Sequence, residues 1–239
     1  VCFEMDTKNA FNSMARAACL ETLESVESLR HLTQFFRVTM APSTVLESGG
    51  KVWGKAPEGE TQGSPRAMGS FAVTLQPSLL QLDADVRSGD GLALGGADDV
   101  YVMGPPELVV PAVEKFQQEV FARCGLELRV EKSHLFCWEG SLPPGCPEGL
   151  PLAGEKVGEE FFRGFMCFGV PVGEDRNVSF KLKEIACRLL EEARQVQDVL
   201  EKHRQALWTS LRASIQQRFD YWCTHCRPSL VRPVAAFLD

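Results

Sequence analysis

GLALGGADDVYVMG, residues 91–104, reads as two short apolar strands folded back on one another around the adjacent pair Asp98–Asp99. Along a strand, neighbouring side chains point to opposite faces; at a tight turn, both can approach one site. A carboxylate pair flanked by apolar strands is costly unless a cation or hydrogen-bond donors neutralise it. A third carboxylate, Asp6, ends another apolar run, VCFEMD at residues 1–6, which reads as a buried strand. Magnesium suits such oxygen donors and commonly takes one or two carboxylates. Taken alone, an Asp-Asp pair is most often a solvated turn, a helix cap or a calcium-like coincidence, so the order of the surrounding segments decides its meaning.

Outward from that hairpin, the chain alternates helix and strand. The stretch from about Asn12 to Met40 has helical apolar spacing at Met14, Ala18, Leu23, Leu32, Phe35 and Phe36. STVLES and KVWG predict strands around a Gly49–Gly50 turn. Ala67 to Val86 predicts an apolar helix in which Pro77 should kink the axis or end its first half. PELVVPAVEKFQQEVFARCG predicts a helix stopped at Gly125, with LELRV and SHLFCW as strands on either side of Lys132. Residues 139–160 are rich in Gly, Pro and Glu and read as a surface loop; FFRGFMCFGVPVG reads as a strand pair or turn. From Val178 to about His203 a charged helix is expected, with further helices to the end. The fold class expected is α+β, an antiparallel sheet backed by helices and followed by an all-helical region, with a boundary at 175/176.

The chain has 239 residues, 44% hydrophobic and 24% charged, enough apolar material for a sizeable core. No apolar run is long enough to span a bilayer. The net charge of −7 is unfavourable for a partner with a phosphate backbone. The charge is uneven, however: residues 181–239 hold ten Lys and Arg against seven Asp and Glu, so the acidic excess lies in the part that carries the aspartates. Nine scattered cysteines, an odd count, predict reduced thiols rather than a disulfide framework. Cys223-Thr-His-Cys226 has no second ligand pair for zinc and reads as ordinary packing.

Asp6-Thr-Lys-Asn-Ala10-Phe11-Asn12, with Arg16, resembles motif A of reverse transcriptases, above all those of non-LTR retrotransposons. Glu60-Thr-Gln62-Gly63-Ser64-Pro65 and the apolar helix after it resemble motif B, and Ala97-Asp98-Asp99 resembles the second half of motif C. Gly125-Leu-Glu-Leu-Arg-Val-Glu-Lys132-Ser looks like motif D, and Phe168-Gly-Val-Pro-Val-Gly173 resembles the Leu-Gly-Val-Pro-Ile-Gly segment that follows it. Each motif is weak by itself; their order and spacing over residues 1–173 carry the resemblance.

That resemblance implies a polymerase palm over 1–175 and a thumb-like helical region over 176–239, acting as an RNA-directed DNA polymerase. Asp6, Asp98 and Asp99, with the carbonyl of Thr7, would hold two Mg²⁺ or Mn²⁺ ions; the substrate would be a dNTP, the partners an RNA template and a DNA primer, with no membrane. Phe11 would be the steric gate beneath the sugar, or else a plain core residue. Gln62 and Gly63 would line the nucleotide and template site. Lys132 would approach the triphosphate as proton donor, or else be a solvated strand-end lysine. Arg16 is expected to pair with a local carboxylate. Trp208, Phe219, Tyr221 and Trp222 could stack on bases, but their helical spacing predicts core for most.

Two departures stand out. Gly96 occupies the place where the family has an aromatic residue, and nothing precedes motif A, so the fingers are expected to lie in a longer polyprotein and the isolated chain to polymerise weakly. A decayed palm-like remnant or a nucleic-acid-binding scaffold is the alternative. An RNA-dependent RNA polymerase fits less well, since that class carries a second acid near Phe11 and Ser-Gly rather than Gln62-Gly63. An intracellular place, cytoplasmic or nuclear, follows only from the resemblance.

Overall fold

The computed structural model describes residues 1–40, 44–60, 64–96 and 98–238, and the chain divides into two compact units, Val1–Leu152 and Ala153–Asp239. The class is α+β with antiparallel sheets. Among the described residues, no helix is long and apolar enough to cross a membrane.

In the first unit, β1 (Cys2–Met5), β4 (Leu92–Gly96), β5 (Asp99–Met103) and β6 (His134–Phe136) form one antiparallel sheet, in the order β4-β5-β1-β6. Alternation sorts the strands' two faces. Phe3 and Met5 of β1, Val100 and Val102 of β5 and Leu135 of β6 enter the core; Glu4, Asp99, Tyr101 and His134 belong to the other face. The core face is backed by α4 (Ala67–Arg87), through Phe71, Leu75, Leu82 and Val86, and by α5 (Pro106–Cys124), through Val109, Val113, Phe116 and Val120. The hairpin β2 (Thr44–Ser48) and β3 (Lys51–Ala56) turns at Gly49–Gly50, both at positive φ, as a two-residue primed turn requires.

Three local expectations are corrected. The single helix over 12–40 is broken into α1 (Ala10–Ser13), α2 (Arg16–Ser25), a 3₁₀ turn (Glu27–Leu32) and α3 (Thr33–Met40). Met14, Ala15 and Val26 are extended, and the Ala15 amide donates to the Cys124 carbonyl at 2.8 Å instead of continuing a helix. Pro77 does not end α4. It removes one ladder N–H, and beside the gap the Arg123 guanidinium donates to the Thr74 carbonyl and to Ser78 Oγ at 3.1 Å. LELRV forms no strand, only the single bridge Thr7–Leu128.

In the second unit, β7 (Gly154–Val157), β8 (Glu160–Cys167) and β9 (Val170–Gly173) form an antiparallel sheet, so β7 lies within what the composition marked as loop. The division falls at 152/153 rather than at 175/176 because this sheet belongs with the helix after it. α6 (Asp175–Leu200) is tied to β8 by buried Asn177, whose Nδ2 donates to the Phe162 carbonyl at 3.1 Å, and to β7 by the Lys181–Glu155 ion pair. The apolar stripe of α6 (Val178, Leu182, Ile185, Leu189) packs with Trp222 of α8 (Gln217–His225) and with Val231 and Val234 of α9 (Pro228–Leu238). Between α6 and α8 run α7 (Arg204–Ser210) and a π-helical segment, Leu211–Gln216.

Candidate active site

The register of β1 on β5 pairs Met5 with Val100, so the next residues outward on the two neighbouring strands are Asp6 and Asp99. Gly96 of β4 pairs with Asp99 across the turn that holds Asp98, and Asp98 and Asp99 are exposed there while Asp6 is half-buried. The three carboxylates are close enough to feel one another. Partial desolvation first, and then the charges of Asp98 and Asp6, raise the Asp99 carboxyl above its ordinary range. A fourth acid, not singled out from the sequence, shares this field. Glu4 is raised by burial and by the charges of Asp99 and Asp6, against a hydrogen bond from Tyr101 Oη at 3.4 Å that works the other way. His134 Nδ1 lies 3.9 Å from the Glu4 carboxylate.

The main chain around Asp6 is held from the opposite side. The Asp6 carbonyl accepts the Arg129 amide at 2.9 Å, and the Lys8 amide donates to the Glu127 carbonyl at 2.8 Å, closing the Thr7–Leu128 bridge. Those two bonds flank Thr7 and leave its carbonyl out of the bridge. Lys132 is exposed on the turn that ends at Ser133, its amide donating to the Arg129 carbonyl at 3.1 Å. Ser133, fully buried, accepts the Asp6 amide on its hydroxyl at 3.1 Å. This residue too was not singled out from the sequence.

Phe11 is half-buried and packs against Phe71 of α4, ring centroids 5.0 Å apart. The loop before α4 is strapped beneath it. The Glu60 amide donates to the Phe11 carbonyl at 2.7 Å and the Gly59 amide to the Met14 carbonyl at 2.8 Å. Buried Glu60 accepts from Arg66 and from Ser70 Oγ, both at 3.3 Å. Gln62 and Gly63, like Ala97, lie outside the described residues. The Arg16 guanidinium donates to the carbonyls of Gly59 and Met40, both at 2.8 Å, and its backbone amide donates to the Glu58 carboxylate at 2.9 Å.

In the second unit, Trp222 is buried and Phe219 packs against the core, while Trp208 and Tyr221 are exposed. Trp222 Nε1 and Tyr221 Oη donate to the carbonyls of Gly169 and Phe168, both at 2.8 Å. Cys223 and Cys226 are free thiols packed at the same core, and burial is the main cause that raises both.

The donor chemistry of the aspartate cluster fits a hard divalent cation: every donor is an oxygen, and the repulsion that lifts Asp99 is what a cation would relieve. Three like charges also repel, and among the described residues no group of three acidic, His or Cys side chains closes around one point. Neither a protein-family model nor a curated protein matches this sequence.

Proposed function

We propose that the chain is the palm and thumb-like region of an RNA-directed DNA polymerase of the non-LTR retrotransposon kind. One observation carries this reading. Asp6 and the Asp98–Asp99 pair, far apart in sequence, end neighbouring strands of a helix-backed antiparallel sheet, in the chain order that the motifs predict. Asp6, Asp98 and Asp99, with the Thr7 carbonyl, are the groups that would hold two Mg²⁺ or Mn²⁺ ions. When bound, such ions supply a lowered pKa for the primer 3′-hydroxyl and charge compensation for the departing pyrophosphate.

The chain's own residues do the rest. Phe11, wedged on Phe71, limits the room beneath the sugar and so favours dNTP over NTP. Lys132 donates a proton to the leaving pyrophosphate. Gln62 and Gly63 line the nucleotide and the RNA template. The basic helices of residues 181–239 supply cationic contacts to the template–primer duplex. A second reading, a palm that no longer polymerises and serves as a binding scaffold, is favoured by one feature: the residue paired with Asp99 is Gly96, where the resembled family has an aromatic residue.

Primer extension decides between them, using an RNA template, a DNA primer, dNTPs and Mg²⁺ or Mn²⁺, and a chain extended at its N-terminus by a fingers region. Extension that Asp98→Asn abolishes is the expected result. No extension, even after Gly96→Tyr, overturns the polymerase reading and leaves the scaffold; incorporation of NTP in preference to dNTP assigns an RNA polymerase instead.

A further inference from the structure

The segment after Leu128 departs from strand geometry in a particular way. β6 pairs His134 with Glu4, and the isolated bridge pairs Leu128 with Thr7. Between those two pairings, residues 129–133 face only Met5 and Asp6, so five residues oppose two. The chain between the two pairings therefore turns outward as a bulge, and Lys132 stands on it. Bulges recur beside active sites because they re-aim a side chain, and they leave ladder groups on the straight strand without their regular partners.

Here the group at risk is the Asp6 amide. In a regular ladder a backbone carbonyl would accept it; in the bulge the Ser133 hydroxyl takes that place, at 3.1 Å. The same hydroxyl spends its one proton on the Arg129 carbonyl at 2.8 Å, which also accepts the amides of Lys132 and Ser133 at 3.1 and 2.9 Å. The loop closes on itself through the Arg129 amide, which donates to the Asp6 carbonyl at 2.9 Å. Both backbone groups of Asp6 are thus fixed by the bulge, and Ser133 is fully buried at the junction.

We infer that Ser133 is a positioning residue for cation binding: its hydroxyl closes the bulge and fixes the main chain from which the Asp6 carboxylate projects. The inference rests on the polymerase reading. An outer-shell partner that orients a ligand typically sets metal affinity by about 10-fold to 100-fold. Ser133→Ala removes the hydroxyl with almost no change in volume; Ser133→Thr keeps it.

The test pairs site-resolved amide exchange with Mn²⁺ binding in the full chain. Ser133→Ala is expected to speed exchange at the Asp6 amide and to weaken Mn²⁺ binding about tenfold, with Ser133→Thr restoring both. Unchanged exchange at Asp6 overturns the inference. Faster exchange with unchanged Mn²⁺ affinity makes the hydroxyl merely structural and overturns it as well. A parent chain that binds no Mn²⁺, indistinguishable from Asp98→Asn, is a different result: it sinks the polymerase reading itself, and the inference falls with it.

Discussion

Asp99 carries a charge that the folded chain disfavours. Partial desolvation and the neighbouring charges of Asp98 and Asp6 raise its carboxyl from the ordinary 3.8, and Glu4 is raised from 4.5 by burial, Asp99 and Asp6. For an acid raised by folding, the native state holds the proton more tightly than the unfolded chain. Well below the ordinary value both states are protonated and nothing is lost; stability then falls as pH rises from there through the raised value, and the penalty is complete above it. Asp99→Asn is therefore expected to raise the melting temperature at neutral pH, with the gain shrinking as the pH falls through the raised value and vanishing well below 3.8, read from thermal melts across that range. An equal gain at both ends would point to packing rather than charge. What marked the aspartates in the sequence was the order of the segments around them rather than the acids themselves, and the fold sets them at the ends of neighbouring strands. Glu4 was not marked, because one polar residue in VCFEM is what any half-exposed strand shows, and its partner Tyr101 lies 97 residues away. Ser133 was hidden for the same reason, since a serine hydroxyl declares no partner 127 residues distant.

At the level of elements, local punctuation misled in both directions. Residues 12–40 contain no Gly or Pro, so nothing in the sequence marks the breaks at Met14–Ala15 and Val26. They arise from tertiary bonds: Cys124 claims the Ala15 amide, and Gly59 donates to the Met14 carbonyl. Pro77, which does look like a breaker, lies inside α4 without ending it, and in the turn before it Arg123 reaches across from α5 to the Thr74 carbonyl. The strands β1, β4 and β5 and the helices α4 to α6 were legible, since each has a sustained period or a clear stop. Gly59 is where the broken segment and the loop before α4 meet. Its φ is +70°, and a Cβ built there would stand 2.2 Å from the Asn12 carbonyl oxygen, a backbone atom with nowhere to yield. Gly59→Ala is expected to cost about 3 kcal/mol, the sum of left-handed strain and a forced backbone shift. A urea denaturation midpoint equal to the parent's would mean that the strap between this loop and α1 does not exist as described.

For the whole molecule, the expected division at 175/176 followed composition, placing the seam where strands give way to helices. The packing places it at 152/153, because β7–β9 and α6 share the bonds of Asn177 and Lys181, contacts that composition does not register. Each unit has its own core: one around Phe3, Met5, Phe71 and Val102, the other around Leu182, Leu189 and Trp222. Separate cores allow separate opening, since cooperative units follow contiguous packing. Leu189, 2% exposed, stands at the centre of the second. Leu189→Ala deletes a buried side chain and should cost that unit about 3 kcal/mol. If the units open independently, native-state hydrogen exchange will quicken across 153–239, in α6 and β8 above all, while the amides of β1 and β5 keep the parent's protection. A uniform rise across both units would show one cooperative body instead. That outcome would mean that the stability of the sheet bearing the acids depends on the packing of α6, and substitutions in α6 would then lower the protection of β1 and β5 without touching any residue of the first unit.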